Sequence, residues 1–299
     1  MSDLVIGSRG SALALWQARW AAARLEAAGH QARIEIIRTT GDKITGVALS
    51  KVGSKGLFTK ELEEALLARS IDLAVHSLKD LPTELAEGLV IGAVPEREDP
   101  RDAIVGRRLN DLARGARVGT SSLRRAAQLK ALRPDLVIES VRGNVDTRVR
   151  KLDEGRYDAL VLAAAGLRRL GLEARIDEIL PVEVMCPAAG QGALAIETRR
   201  DGVAEVIAME DAATRTAVIA ERALLASLGG GCQVPIGAHA AASNGSLRLD
   251  AVVVSPDGQR LIRRHAAGSS TDAERIGVDL ARELLEAGGR EILEAVYGA

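Results

Sequence analysis

The strongest constraint on the fold of this chain is a pattern that occurs twice. Residues 4–8, 33–39 and 71–76 read as short apolar strands, with helices over 11–28 and 57–69 between them. Residues 117–120, 136–141 and 157–163 repeat the plan, with helices over 122–132 and 144–155. Parallel strands need crossovers long enough to hold a helix, so this alternation predicts two α/β units with mainly parallel sheets. A chain of 299 residues, 47% of them hydrophobic, has room for two or three cores.

The boundaries follow from what interrupts the pattern. The segment Val94-Pro95-Glu96-Arg97-Glu98-Asp99-Pro100-Arg101-Asp102 is charged and holds two prolines, and it reads as a hinge. A second crossing falls near Pro187–Gly192, after which 193–198 reads as a strand and about 201–211 as a helix. Two crossings return the chain to its first unit, which gives domain 1 at 1–95 and 190–211 and domain 2 at 96–189. Domain 3, at 212–299, has a different character, with a helix over 214–228, strands over 236–242, 246–254 and 260–267, and a helix over 271–287. The short turns Ser243-Asn244-Gly245 and Pro256-Asp257-Gly258 make those strands an antiparallel meander in a small α+β domain.

Composition narrows the partners. Forty basic and 41 acidic residues leave a net charge of −1, and 2% aromatic content offers no stacking platform, so a nucleic-acid partner is not expected. Cys186 and Cys232 are too few for a disulfide framework and read as reduced thiols. His30, His76, His239 and His265 do not combine with them at metal-ligand spacing, so no metal is expected. Strand-like residues begin at Leu4 without a charged leader, and no apolar run is long enough to span a bilayer; the expected compartment is the cytoplasm.

The candidate chemistry lies where strands turn into helices. Gly7-Ser8-Arg9-Gly10-Ser11 and Gly119-Thr120-Ser121-Ser122-Leu123-Arg124-Arg125 combine small residues, hydroxyls and arginine at such turns. They suit an anion held by backbone N–H groups and a guanidinium fork; equally, they suit N-capping by Ser11 and by Ser121 or Ser122. The strand ending at His76 runs into Ser77, Lys79 and Asp80, with Pro82 behind them. There Asp80 is the acid/base candidate and Ser77 and Lys79 are candidates to hold an anionic group, or Asp80 caps a turn. Arg142, before Gly143-Asn144, joins Arg148, Arg150, Arg168 and Arg169 in an arginine-rich second unit that suits a small polyanion, with Arg150 facing solvent. Leu49–Phe58, rich in lysine and glycine, reads as a lid and lacks a complete phosphate-binding P-loop pattern. In Gly229-Gly230-Gly231-Cys232-Gln233-Val234-Pro235 the loop either displays its thiol or ends a helix with Cys232 buried.

Taken together and in order, Ser8–Gln17, Lys55–Phe58, His76–Asp80, Gly119–Arg125, Arg142–Arg148 and Gly230–Pro235 resemble the porphobilinogen deaminase (hydroxymethylbilane synthase) family. The resemblance implies two similar α/β domains resembling type II periplasmic binding proteins, plus a small α+β C-terminal domain with a three-stranded antiparallel sheet. It implies a dipyrromethane cofactor joined by a thioether to Cys232. It also implies addition of four porphobilinogens head to tail with loss of ammonia, then hydrolytic release of hydroxymethylbilane. Asp80 is then the acid/base residue that stabilises positive pyrrole nitrogens. Arg9, Arg124, Arg125, Arg142, Arg148 and Arg169 match arginines that hold the cofactor and growing chain. Ser11, Lys55, Ser77, Lys79, Thr120, Ser121, Ser122, Gly143, Asn144 and Gln191 match further contacts, and Phe58 packs near the chain. A monomer is implied. Gly229 departs from the acidic residue that many members carry before Gly-Gly-Cys. The runner-up reading is a two-domain protein that closes on a small dicarboxylate without chemistry.

Overall fold

The structure is a computed structural model that describes residues 3–43, 58–230 and 234–298. The chain divides into two compact units, Met1–Glu98 with Ala193–Arg215 and Asp99–Gly192 with Thr216–Ala299.

The first unit opens with β1 (Leu4–Ser8), α1 (Ala12–Ala27), β2 (Ala32–Ile36), the single turn α2 (Thr40–Lys43), α3 (Lys60–Leu67), β3 (Leu73–Ser77) and β4 (Leu89–Ala93). β1 pairs in parallel with both β2 and β3. Helices cover both faces of this sheet. Ala18, Ala21 and Leu25 of α1 pack with Ile6, Leu73 and Val75, while Leu62 and Leu66 of α3 pack with Ile71 and Ala74. Alternate β3 residues therefore face different helices, so Leu73, Ala74 and Val75 run as consecutive apolar residues instead of alternating.

The second unit continues with β5 (Asp102–Val105), β6 (Arg117–Gly119), α4 (Leu123–Leu132), β7 (Val137–Glu139), α5 (Val145–Asp153), β8 (Ala159–Ala163), α6 (Ala164–Arg169) and β9 (Glu178–Ile179). The chain then adds β10 (Leu194–Arg199) to the first sheet. The sheet orders are β2-β1-β3-β10-β4 and β7-β6-β8-β5-β9. They are the same order: second, first and third strands, then one inserted strand, then the fourth. The inserted strand runs antiparallel to both neighbours, β10 against β3 and β4 and β5 against β8 and β9.

The rest comprises α7 (Ala212–Ser227), β11 (Ile236–Ser243), β12 (Ser246–Val254), β13 (Leu261–Ser269), α8 (Ala273–Leu284) and α9 (Arg290–Tyr297). β11, β12 and β13 form the expected three-stranded antiparallel sheet. Its first hairpin closes at the pair Ser243–Ser246, with Asn244 and Gly245 both at positive φ, as a tight turn with this right-handed twist requires. Ala238, Ala240, Leu249 and Ala251 of this sheet pack with Leu280, Ala281 and Leu284 of α8.

The expected fold class is thus present, with two local corrections. The helix expected over 201–211 is a 3-10 segment, Ala204–Met209, whose buried Val206 and Met209 are three residues apart, as that tighter helix repeats. Asp102, read as the end of a hinge, begins strand β5 and is completely buried.

Candidate functional site

Parallel strands bring their carboxyl ends to one sheet edge, where α/β folds place ligands. In the first unit that edge carries Arg9 after β1 and Ser77–Asp80 at the end of β3. Ser11 is the N-cap of α1, its Oγ accepting from the Ala14 N–H at 3.3 Å. The Arg9 guanidinium stacks over the Phe58 ring, 4.1 Å from its centroid. Ser77 Oγ accepts from Gln17 Nε2 at 2.7 Å, which ties the strand end to the buried face of α1.

A 3-10 turn, Leu78–Asp80, follows β3 at once. The Leu78 N–H donates to Ala193 O at 3.0 Å, extending the β3–β10 ladder, and Leu81 N–H donates to Leu78 O at 3.1 Å to close the turn. Leu78 is buried, Lys79 half-buried and Asp80 exposed, so the turn uses its apolar residue as an anchor and presents its carboxylate. On the opposite face of β3 from Ser77, His76 Nε2 lies 3.0 Å from Glu197 Oε2 of β10, and both side chains are buried. Glu63 of α3 completes this group. Burial pushes its carboxyl up, and the Glu197 charge beside it adds to that.

In the second unit, Ser122 caps α4 by accepting from the Arg125 N–H at 3.4 Å, and Thr120 Oγ1 accepts from the Ser122 N–H at 3.2 Å. Ser121 does not cap; its Oγ donates to Val141 O at 2.6 Å, joining the ends of β6 and β7. Arg124 and Arg125 are 3% and 6% exposed and converge on Asp102. Arg124 Nη1 donates to Asp102 Oδ2 at 2.7 Å; Arg125 donates to Oδ1 through Nε at 3.0 Å and Nη2 at 2.7 Å. Gln191 Nε2 adds a bond to Oδ1 at 2.8 Å and another to Pro100 O at 2.7 Å. Burial acts to raise the Asp102 carboxyl, but the two guanidinium charges outweigh it and hold it well below the usual carboxylate range. One carboxylate against two guanidiniums leaves a positive charge, and Arg124 Nε is a buried donor without a partner among the described residues. That surplus suits an anionic group.

The other arginines are placed as follows. Arg169 Nη2 donates to Gly192 O at 2.7 Å, beside Gln191. Arg168 pairs with Asp99 and Glu173, each at 3.4 Å, and exposed Arg150 lies 3.8 Å from Glu154. The Arg142 guanidinium makes no hydrogen bond or ion pair among the described residues, and exposed Asn144 is the N-cap residue of α5 without a side-chain cap bond. Gly143 between them has φ +110°, and a Cβ there would meet Thr147 Cγ2 at 2.6 Å, so this turn requires glycine. Arg148 Nε donates to Gly143 O at 2.7 Å. Lys55 and Cys232 lie outside the described residues, as do Gly231 and Gln233 and most of the expected lid. Cys186 is fully buried, and burial pushes its thiol up to about 12.

Sequence reasoning gave no role of their own to Asp102, Gln17, His76 and Glu197. Gln17 and Glu197 each interrupt an otherwise apolar buried run, which is the signal that marks them. Asp102 gave no such signal, because its charged neighbours concealed it.

The comparisons with known proteins bear on the whole chain. Residues 4–206 match the family model described as porphobilinogen deaminase, dipyromethane cofactor binding domain, and residues 215–286 match porphobilinogen deaminase, C-terminal domain. The chain is 54% identical to a porphobilinogen deaminase of Syntrophobacter fumaroxidans, with 100% of each chain covered. It is 56% identical to one of Desulforudis audaxviator, with 98% of each covered. Among solved structures, a periplasmic substrate-binding protein of an ABC transporter from Coxiella burnetii aligns over 66% of this chain and 85% of its own. Its identity is 13% and its TM-score 0.42, too distant to bear on what this chain does.

Proposed function

The chain belongs to the porphobilinogen deaminase family, and we propose how its own residues carry out that family's reaction. The enzyme is a hydroxymethylbilane synthase of tetrapyrrole biosynthesis: it joins four porphobilinogens head to tail with loss of ammonia and releases hydroxymethylbilane. The observation that carries this is identity of 54% over the entire length of a named porphobilinogen deaminase.

The dipyrromethane cofactor, when attached, supplies the pyrrole end to which the first substrate is joined. Its attachment is assigned to the Cys232 thiol. The surplus positive charge of Arg124 and Arg125 beside Asp102, with Arg142, whose guanidinium has no partner among the described residues, fits the acetate and propionate groups that pyrroles bring. Arg148 and Arg169 extend this positive field, and Thr120, Ser121, Ser122, Gly143, Asn144 and Gln191 shape the turns that support it. In the first unit, Arg9, Ser11, Lys55, Ser77 and Lys79 are assigned to the incoming substrate's carboxylates, with Phe58 beside its ring.

Asp80 is assigned the charge chemistry. An exposed carboxylate on a turn anchored by buried Leu78 can meet a pyrrole N–H without moving its backbone. Its negative charge offsets the positive charge that develops on the ring as the aminomethyl group leaves as ammonia. Asp80→Ala should then keep the fold and lose product formation by a factor of about 100 or more; turnover at the wild-type rate removes Asp80 from the reaction. We read the protein as a cytoplasmic monomer, which light scattering on the purified protein tests.

The deciding experiment is the intact mass of the denatured protein beside that of Cys232→Ser. A mass increment of two linked pyrroles on the unsubstituted chain alone supports the assignment. If the increment is absent both before and after incubation with porphobilinogen, the attachment assignment fails.

A further inference from the structure

We propose that His76 and Glu197 are positioning residues for the Ser77–Asp80 turn. They form a buried cross-strand pair whose purpose is to hold the end of β3 in the arrangement that presents Asp80. The proposal rests on the reading of Asp80 given above.

The register defines the pair. Ala74 faces Glu197, and His76 faces Ala195 across the antiparallel β3–β10 ladder. His76 and Glu197 are thus diagonal neighbours on one face of the sheet, the face that α3 covers with Leu62 and Leu66. The next rung is Ser77–Leu194, and the Leu78–Ala193 bond is the last before the chain turns out to Asp80. The pair is therefore the last side-chain link between the two strands on that face before the turn. Ser77, on the opposite face, is held by Gln17. The base of the turn is gripped from both faces, by an amide–hydroxyl bond on one and by an ionisable pair on the other.

Stability gives no reason for the second grip. Glu197 is 0% exposed and His76 6%, on the face of the sheet where Leu62, Leu66 and Ile71 pack. Their 3.0 Å contact lacks hydrogen-bond alignment: neither Glu197 oxygen nor His76 Nε2 has a hydrogen-bond partner among the described residues. Glu63 adds a second carboxylate to the group. Burying such groups is unfavourable unless they are well bonded, and apolar residues of the same volume would be at least as stable there. What the pair has instead is its location, one rung before the Ser77–Leu194 pair that ends β3 and leads into the turn bearing Lys79 and Asp80.

The test uses the full-length protein carrying its covalent pyrrole primer, verified by mass. Glu197→Gln keeps the shape and removes the charge. Its kcat should fall about 10- to 100-fold, the size of effect that a small misplacement of a reacting group produces, with KM within about 3-fold and an unchanged melting temperature. The double variant His76→Leu/Glu197→Met should melt at or above the wild-type temperature while showing the same loss of kcat. Glu197→Asp, which restores the charge on a shorter arm, should recover part of the loss. A pair that merely fills the core gives the reverse result, with wild-type kcat in folded Glu197→Gln, and that overturns the proposal. If the double variant does not fold, Glu197→Gln and Glu197→Asp decide it alone. Asp80→Asn, measured in parallel, separates the two readings. Full turnover there overturns the role of Asp80 and the positioning role with it; loss there beside wild-type turnover in Glu197→Gln overturns the positioning role only.

Discussion

Asp102 and Glu197 lie on corresponding strands of the two α/β sheets, Asp102 at the start of its strand and Glu197 within its own, and are treated in opposite ways. Each lies on the inserted antiparallel strand, β5 or β10, and each is completely buried. Asp102 accepts hydrogen bonds from Arg124, from Arg125 twice and from Gln191. Glu197 accepts none among the described residues and faces a single misaligned imidazole. A buried carboxylate is tolerable when charge and hydrogen bonds are both supplied, and unfavourable when they are not. The first unit keeps an unfavourable group beside the turn that carries the proposed chemistry. The second surrounds its carboxylate with arginines and so fixes where those arginines point.

The sharpest way to break this comparison is Asp102→Asn. It leaves two buried guanidiniums without their counter-charge and should reduce unfolding stability by about 3–5 kcal/mol, measured by urea titration. A loss below about 1 kcal/mol would mean that Asp102 does not hold the network together. The pH dependence has a definite sign. The folded-state pKa of Asp102 is depressed by the guanidiniums, so its stabilisation is present above the unfolded carboxylate's pKa and is lost as the pH falls through the folded value. The acid limb of the stability curve should therefore be steeper in the wild type than in Asp102→Asn.

Gln128→Ala sharpens the comparison with a neutral control. Gln128 brackets Cys186, its Oε1 accepting from the Cys186 N–H at 2.8 Å and its Nε2 donating to Cys186 O at 3.0 Å. Removing it strands the buried Cys186 N–H without stranding a charge, while Cys186 O keeps its bond from Arg124 Nη1, and should cost about 1–3 kcal/mol. If it costs as much as Asp102→Asn, hydrogen bonds rather than charge explain the second unit. Glu197→Gln stands at the other end, with stability expected within about 1 kcal/mol of wild type, because the replaced carboxylate makes no hydrogen bond among the described residues and only the misaligned His76 contact. A loss of several kcal/mol would show that the His76 contact is stronger than its alignment indicates.

What the sequence made legible follows the reach of each interaction. The caps at Ser11 and Ser122 are local, each bonded three residues ahead, and the strand–helix alternation that set both sheets is local too. The arginine clustering was visible as composition, but not its counter-charge, because Asp102 meets Arg124 and Gln191 across separations of 22 and 89 residues. Nothing near Asp102 distinguishes it from Asp99 in the same charged segment, although Asp99 is tied locally to Arg101. The inserted strands were the hardest feature to read. β10 was visible as an apolar run, but its antiparallel direction depends on where the chain has travelled before it, which no local pattern records.

The smallest expected effect follows the second unit at atomic scale. Arg124 Nη1 donates both to Asp102 and to Cys186 O, at 2.6 Å for the latter, so the Cys186 backbone is part of the network. Burial raises the thiol from 9.0 to about 12, which keeps it protonated and unreactive while the network is closed. The thiol favours the folded state below about pH 9, and that contribution is lost as the pH rises from 9.0 toward 12, since only the unfolded chain ionises there. Cys186 can therefore report on local opening without large-scale unfolding. In a Cys232→Ser background, iodoacetamide at pH 8 should label Cys186 very slowly, and adding Asp102→Asn should speed labelling, whereas Glu197→Gln should leave the rate unchanged. Equal acceleration by both substitutions would mean that the two buried carboxylates act through global stability, and the contrast between the two sheets would fail.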